Sequence, residues 1–253
     1  MTCGAAPTRR EREVLNRRAP RHEPLQRSGK PCVSYPDFLT IYAPRLLVGT
    51  WMTVQQTVLA AIVAVLVALV FGLMKVSPLR ALRGVATVYI EFFRGTSLLV
   101  QLYWIYYALP LFGISIDNYP AGFLAVGLNL GAYGAEVVRG AIQSVPRGQW
   151  EAALALNLSP ARRMWRIILP QALAIMLPAW GNIMIEVLKG TALVALISVA
   201  DLMFEARQIN ASTYLSAQVF GTALIIYYLL ARFGVTPLMR WLERAVARRV
   251  GRA

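Results

Sequence analysis

The chain has 253 residues, 57% of them hydrophobic and only 15% charged, where an ordinary soluble domain carries about 25% charged residues. That composition excludes a typical soluble enzyme and points to an integral membrane protein. The formal charge of +14 does not argue for nucleic acid. The basic residues fall in the N-terminal stretch and beside apolar runs, as the positive-inside bias requires.

In chain order, residues 1–36 are expected to form a disordered basic tail, rich in Arg, Pro and Glu and too polar to bury a core. The tail has no apolar segment of the kind a secretory signal needs. Both cysteines, Cys3 and Cys32, and the single histidine, His22, lie in it. No metal or nucleophile–base constellation can therefore be assembled at membrane depth.

Residues 37–253 read as an all-α membrane domain of about five spans, near 46–74, 85–112, 120–142, 171–200 and 217–239. Val58–Met74 runs without a charge. The third span is rich in small residues (Gly122, Gly127, Gly131, Gly134) that permit close helix contact. The fourth is expected to be interrupted at Pro178 and around Lys189–Thr191. Basic residues follow spans one, three and five (Lys75, Arg80, Arg83; Arg139 to Arg166; Arg240 to Arg252). The connections after spans two and four are acidic or mixed. This places the C-terminus in the cytoplasm. The basic tail conflicts with an outside N-terminus, and a start assigned too far upstream is the expectation that resolves the conflict.

The connection 143–170 reads as two short helices. The first carries Glu151, Ala152 and Ala153 and ends at Asn157, a residue that tolerates positive φ. The second begins with Ser159 as N-cap and Pro160 as first helical residue, and Pro170 turns the chain into the membrane. The spacing is Glu-Ala-Ala, three residues, Asn157, nine residues, Ile167, one residue, Leu169-Pro170.

This arrangement resembles the EAA loop of permease subunits of bacterial ATP-binding-cassette (ABC) importers, with Asn157 where that family usually has Gly. The segments 91–110, 131–153 and 168–182 resemble the polar amino-acid branch. The runs 94–102, 131–140, 151–157 and 189–194 look closest to ectoine and hydroxyectoine uptake permeases, although Ser97, Gly190 and Ala192 depart from the commoner pattern. The resemblance implies a type I importer bundle in the inner membrane that is not itself an enzyme and binds no cofactor. ATP and magnesium would sit on separate ATPase subunits. It also implies an extracytoplasmic solute-binding protein and a second permease, a heterodimer being the ectoine-type arrangement and a homodimer the other. Gly148, Glu151, Ala152, Ala153, Asn157, Ile167, Leu169 and Pro170 would then serve coupling to the ATPase.

Polar groups in the spans are candidates for a translocation path. Arg94, Gln101, Asn129, Tyr133, Glu136, Glu186, Lys189 and Thr191 are the set. The pairs Glu91/Arg94, Glu136/Arg139 and Glu186/Lys189 are three apart and share a helix face, so each can also serve only to neutralise charge. Gln and Asn can equally bridge helices. The aromatic run Tyr103–Tyr107 reads as an interfacial belt. The expected function is import of a small polar or zwitterionic solute, a polar amino acid or an ectoine-type compatible solute, by alternating access. The alternatives are an ATP-independent carrier or channel and, further off, a membrane-embedded enzyme.

Overall fold

The computed structural model describes residues 35–249. The basic tail with Cys3, His22 and Cys32 lies outside them. Among the described residues there is no strand. The chain forms α1 (Tyr35–Val76), α2 (Arg80–Gly95), α3 (Leu98–Tyr103), α4 (Asn118–Gln143), α5 (Arg147–Ala155), α6 (Pro160–Arg163), α7 (Leu169–Thr191), α8 (Leu202–Thr213), α9 (Ser216–Leu229) and α10 (Thr236–Arg249). Four continuous helical stretches are long and apolar enough to cross a membrane: Tyr35–Val76, Asn118–Gln143, Pro160–Ile197 and Ser216–Arg248.

The remaining expected span, 85–112, is not one helix. It breaks at Thr96–Ser97, where both residues adopt extended backbone, into α2 and the shorter apolar stretch Leu98–Phe112. Gly95 has poor helix propensity. The carbonyls freed at the break find side-chain partners: the Gln101 amide donates to the Phe93 and Thr96 oxygens at 3.0 and 3.4 Å, and Asn129 donates to the Phe93 oxygen at 2.9 Å. Buried backbone oxygens need such partners where no water reaches.

The fourth span departs from expectation in the opposite sense. Pro170 does not turn the chain, because a wide π turn, Met164–Ile168, joins α6 to α7 without a break. Such a turn absorbs a missing N–H by local readjustment. Nor does the helix stop at Pro178 or at Lys189; it tightens to 3₁₀ only from Ala192. Packing against α4 and α10 holds it through the proline.

The spine of the fold is α1 against α4. The two run parallel in a steady register: the Gln56 amide donates to the Tyr119 carbonyl, Gly127 lies on Val63, Gly131 on Val67 and Gly72 on Val138. A Cβ on Gly127 would stand 2.6 Å from Val63 Cβ, and one on Gly131 2.7 Å from Val67 Cγ1. Only glycine allows this approach. The residues of α1 buried here (Thr53, Gln56, Ala60, Ala64, Ala68, Gly72) recur every three or four positions, the period of one helix face.

At one end of the bundle Lys75, Glu136 and Arg139 meet near α5. At the other, Gly49 and Thr53 of α1 abut Asp201–Leu202 at the start of α8.

Candidate functional site

The connection 143–170 folds as α5, a tight turn and α6. Asn157 has φ +52°. Its N–H donates to the Leu154 carbonyl at 2.8 Å and that of Leu158 to the Ala153 carbonyl at 3.2 Å. These two bonds form the Schellman closure of a helix end. Ser159 occupies the N-cap position with extended backbone, but its side chain makes no capping bond, unlike the sequence expectation.

Helix α5 has two faces. Inward, Ala153 is fully buried and the Arg163 guanidinium lies 5.7 Å from the Trp150 ring centre; at the edge of this face the exposed Gln149 accepts from the Gln171 amide at 3.2 Å. Outward stand Gly148, Glu151 and Ala152, with Asn157 on the turn and two bare leucines, Leu154 and Leu156, the latter 71% exposed. Of the eight coupling candidates, Gly148, Glu151, Ala152 and Asn157 are therefore accessible. Ala153, Ile167, Leu169 and Pro170 pack toward the interior or at the root of α7.

The path candidates divide in the same way. Gln101, Asn129 and Thr191 are buried. Gln101 and Asn129 bond each other at 3.1 Å and cap the α2–α3 break, while the Thr191 hydroxyl donates to the Leu188 carbonyl at 2.8 Å. Their side chains are occupied by the fold. Glu136 is held between Lys75 and Arg139, the latter at 2.7 Å.

The expected Glu91/Arg94 pair is not formed. Glu91 lies 4.0 Å from Lys75, and Arg94 turns over the Tyr133 ring, 5.4 Å from its centre. Three residues of helix bring the pair to one face but do not join it when each finds a tertiary partner. Glu186 and Lys189 do pair, at 2.9 Å, and remain 56% and 64% exposed.

Arg94 and Tyr133 adjoin the break at mid-depth of the bundle, and Lys189, paired with Glu186, precedes Gly190, which packs beside Leu98. The break lies level with Asn129, near the centre of α4. The first residue beyond it, Leu98, lies 3.4 Å from where a Cβ on Gly190 would be, beside Lys189. The interruption lies in the second span, where the Gly95-Thr96-Ser97 run is its local signal, and not at Pro178 or around Lys189–Thr191 of the fourth. Exposed Asn182 lies one helix turn before Glu186, with no motif around it to mark it.

In α2, Arg80, Arg83, Thr87, Glu91 and Arg94 recur at steps of three and four, so that a polar stripe runs to the break. Charged groups at this depth face water or protein rather than lipid. A groove of about 490 Å³ between α1, α7 and α9–α10 is a different kind of place. Apart from Thr57 it is lined by apolar side chains and glycine, and it holds none of the polar candidates.

At the far end Asp201 caps α8. Its Oδ1 accepts from the Phe204 N–H at 2.8 Å and its Oδ2 from the Tyr227 hydroxyl at 3.4 Å. Burial pushes its carboxyl up to about 6, against the pull of these bonds.

Comparison with known proteins gives the arrangement its context. A probable amino-acid ABC transporter permease protein of Sinorhizobium fredii is 43% identical over 79% of this chain and 86% of its own length. The L-cystine transport system permease protein TcyB of Bacillus subtilis is 35% identical over 83% and 89%. A crystal structure of an amino acid ABC transporter matches with TM-score 0.77 and 38% identity, covering 84% of this chain and 99% of that one. Residues 60–248 match the family of binding-protein-dependent transport system inner membrane components. The chain belongs to that family and is a membrane-embedded permease subunit of an ABC importer, a transport component rather than an enzyme.

Proposed function

We propose that this permease imports a small zwitterionic solute, a polar amino acid or an ectoine-type compatible solute, by alternating access driven through α5. The observation that carries the coupling half is the outward face of α5. Glu151, Ala152 and Gly148 stand free on a helix otherwise fastened to α6 through Trp150 and to α7 through Gln149. An ATPase subunit holding ATP and magnesium docks on that face, on the cytoplasmic side, where the C-terminus also lies. A binding protein delivers solute at the Asp201 end. A second permease, in a heterodimer as the ectoine-type resemblance implies, closes the path.

Two features support the solute half. The first is the mid-depth break in the α2–α3 span, with Arg94 over Tyr133 at it and the Glu186/Lys189 pair on the helix turn before Gly190, which packs beside Leu98. Broken helices at the midplane are where transporters bind polar solutes, and a zwitterion asks for one cation and one anion. The second is that the Bacillus subtilis relative carries cystine in its name.

Two measurements test the reading. Glu151→Lys inserts normally and abolishes uptake; unchanged uptake would remove α5 from the coupling role. Cells lacking this subunit lose uptake of labelled ectoine, without competition by excess glutamine or arginine in the parent strain. Retained ectoine uptake with lost amino-acid uptake would assign an amino acid instead.

A further inference from the structure

The inward face of α5 has its own chemistry. The guanidinium of Arg163, on α6, covers the Trp150 ring at 5.7 Å, and its Nε is buried without a hydrogen-bond partner. A buried guanidinium nitrogen left unsatisfied is costly, so the ring contact is the visible compensation on that side of the group.

Beside it, Gln171 of α7 reaches back to Gln149 of α5 at 3.2 Å, and also donates to the Ile167 carbonyl at 3.0 Å. These two contacts straddle Met164–Ile168, the single π turn between α6 and α7. A π turn in a helix is a common place for bending. The rest of the root is firm: Ile168, Leu169 and Ala172 are buried, and Trp150, Met164 and Ile167 pack against the same core.

We infer that Trp150 and Arg163, with Gln149 and Gln171, form a brace that carries displacement of α5 across the π turn into α7, the helix bearing Glu186 and Lys189. They are positioning residues: Trp150, Arg163 and Gln171 are half-buried, the ring meets the guanidinium, and Gln149, itself exposed, is tied to Gln171. Removing the ring leaves Glu151 and Ala152 outward but lets α5 move without α7. The coupling ratio then falls while docking survives. This rests on the assignment of α5 as the ATPase contact.

The test uses the assembled importer, purified with its ATPase and reconstituted in proteoliposomes with its binding protein. ATP hydrolysis and solute uptake are measured on the same vesicles. Trp150→Ala and Arg163→Gln retain the ATPase on purification and hydrolyse ATP, with at least a tenfold rise in ATP consumed per solute imported. Trp150→Phe and Arg163→Lys, which keep a ring and a cation, stay within about twofold of the parent.

An unchanged ratio in Trp150→Ala and Arg163→Gln overturns the brace. So does a ratio equally damaged in the Phe and Lys variants, since that marks simple misfolding. Glu151→Lys run alongside separates the two levels: if it leaves uptake intact, the α5 assignment has failed rather than the brace alone.

Discussion

Small residues do opposite work at two places in this chain. In α4, Gly127 and Gly131 are closed against α1, and an added Cβ would collide with Val63 or Val67. In α5, Gly148 and Ala152 face outward, and a Cβ on Gly148 would meet nothing within 4 Å. The first set has been consumed by the fold and the second is left over. A run of small residues reports that some surface comes close; only burial says whether that surface belongs to the same chain.

The largest effect should come from placing the same bulk in both regions. Gly127→Leu drives a side chain into Val63 and the Ala60 carbonyl. Overpacking of this kind costs about 1–3 kcal/mol or more. The expected result is a lower melting temperature in detergent and a fall in monodisperse protein. Ala152→Leu should melt like the parent yet fail in uptake, because the space it fills is empty until a partner arrives. Normal melting of Gly127→Leu would mean that α1 and α4 are not this close in the membrane. Normal uptake by Ala152→Leu would place the docking surface elsewhere on the chain.

A second contrast concerns two acids. Glu151 is exposed, whereas Asp201 is fully buried at the opposite end of the bundle. Because burial raises the Asp201 carboxyl from an ordinary 3.8 to about 6, the folded chain holds this proton more tightly than the unfolded one. The resulting stabilisation is complete below pH 3.8, declines as pH rises through about 6 and is absent above it. Its upper limit is roughly 3 kcal/mol at 1.36 kcal/mol per pKa unit. Asp201→Asn, which keeps a capping oxygen, should flatten the fall in melting temperature between pH 4 and 6.5. Equal slopes in parent and variant would show that Asp201 is better solvated than its packing implies.

These contrasts mark what the sequence made legible. Long uncharged, mainly apolar runs announce α1 and α4, because a stretch of roughly twenty predominantly apolar residues is what a helix needs to cross a bilayer. The positive-φ turn at Asn157 was legible because an asparagine, which tolerates that backbone, stands between a short helix and a Ser159-Pro160 helix start. The break at Thr96–Ser97 was announced only by the short Gly95-Thr96-Ser97 run, since hydropathy sums across both halves and one of the residues that cap it, Asn129, lies on another span. Continuity through Pro170 and Pro178 ran against a local rule that packing and a π turn override. The capture of Glu136 by Lys75, 61 positions away, is likewise a tertiary fact.

The smallest effect belongs to Asn157, where the chain departs from the glycine usual in the EAA loop. Its φ of +52° is open to glycine without strain and to asparagine at modest cost. Asn157→Gly should therefore change stability by less than about 1 kcal/mol and leave uptake within twofold. A β-branched residue has no such freedom. Asn157→Val strains the turn or releases the two bonds that close α5, those from Asn157 N–H to Leu154 and from Leu158 N–H to Ala153. The closure ends on the carbonyl of buried Ala153, so without it α5 should lose its fixed orientation and uptake should fall well below that of the glycine variant, with the spanning helices intact. Amide exchange at Leu158 reads the closure directly. Slow exchange in the parent and Asn157→Gly, with fast exchange in Asn157→Val, fits the turn as described; fast exchange in all three would mean that the end of α5 is ordered by its partner rather than by the chain.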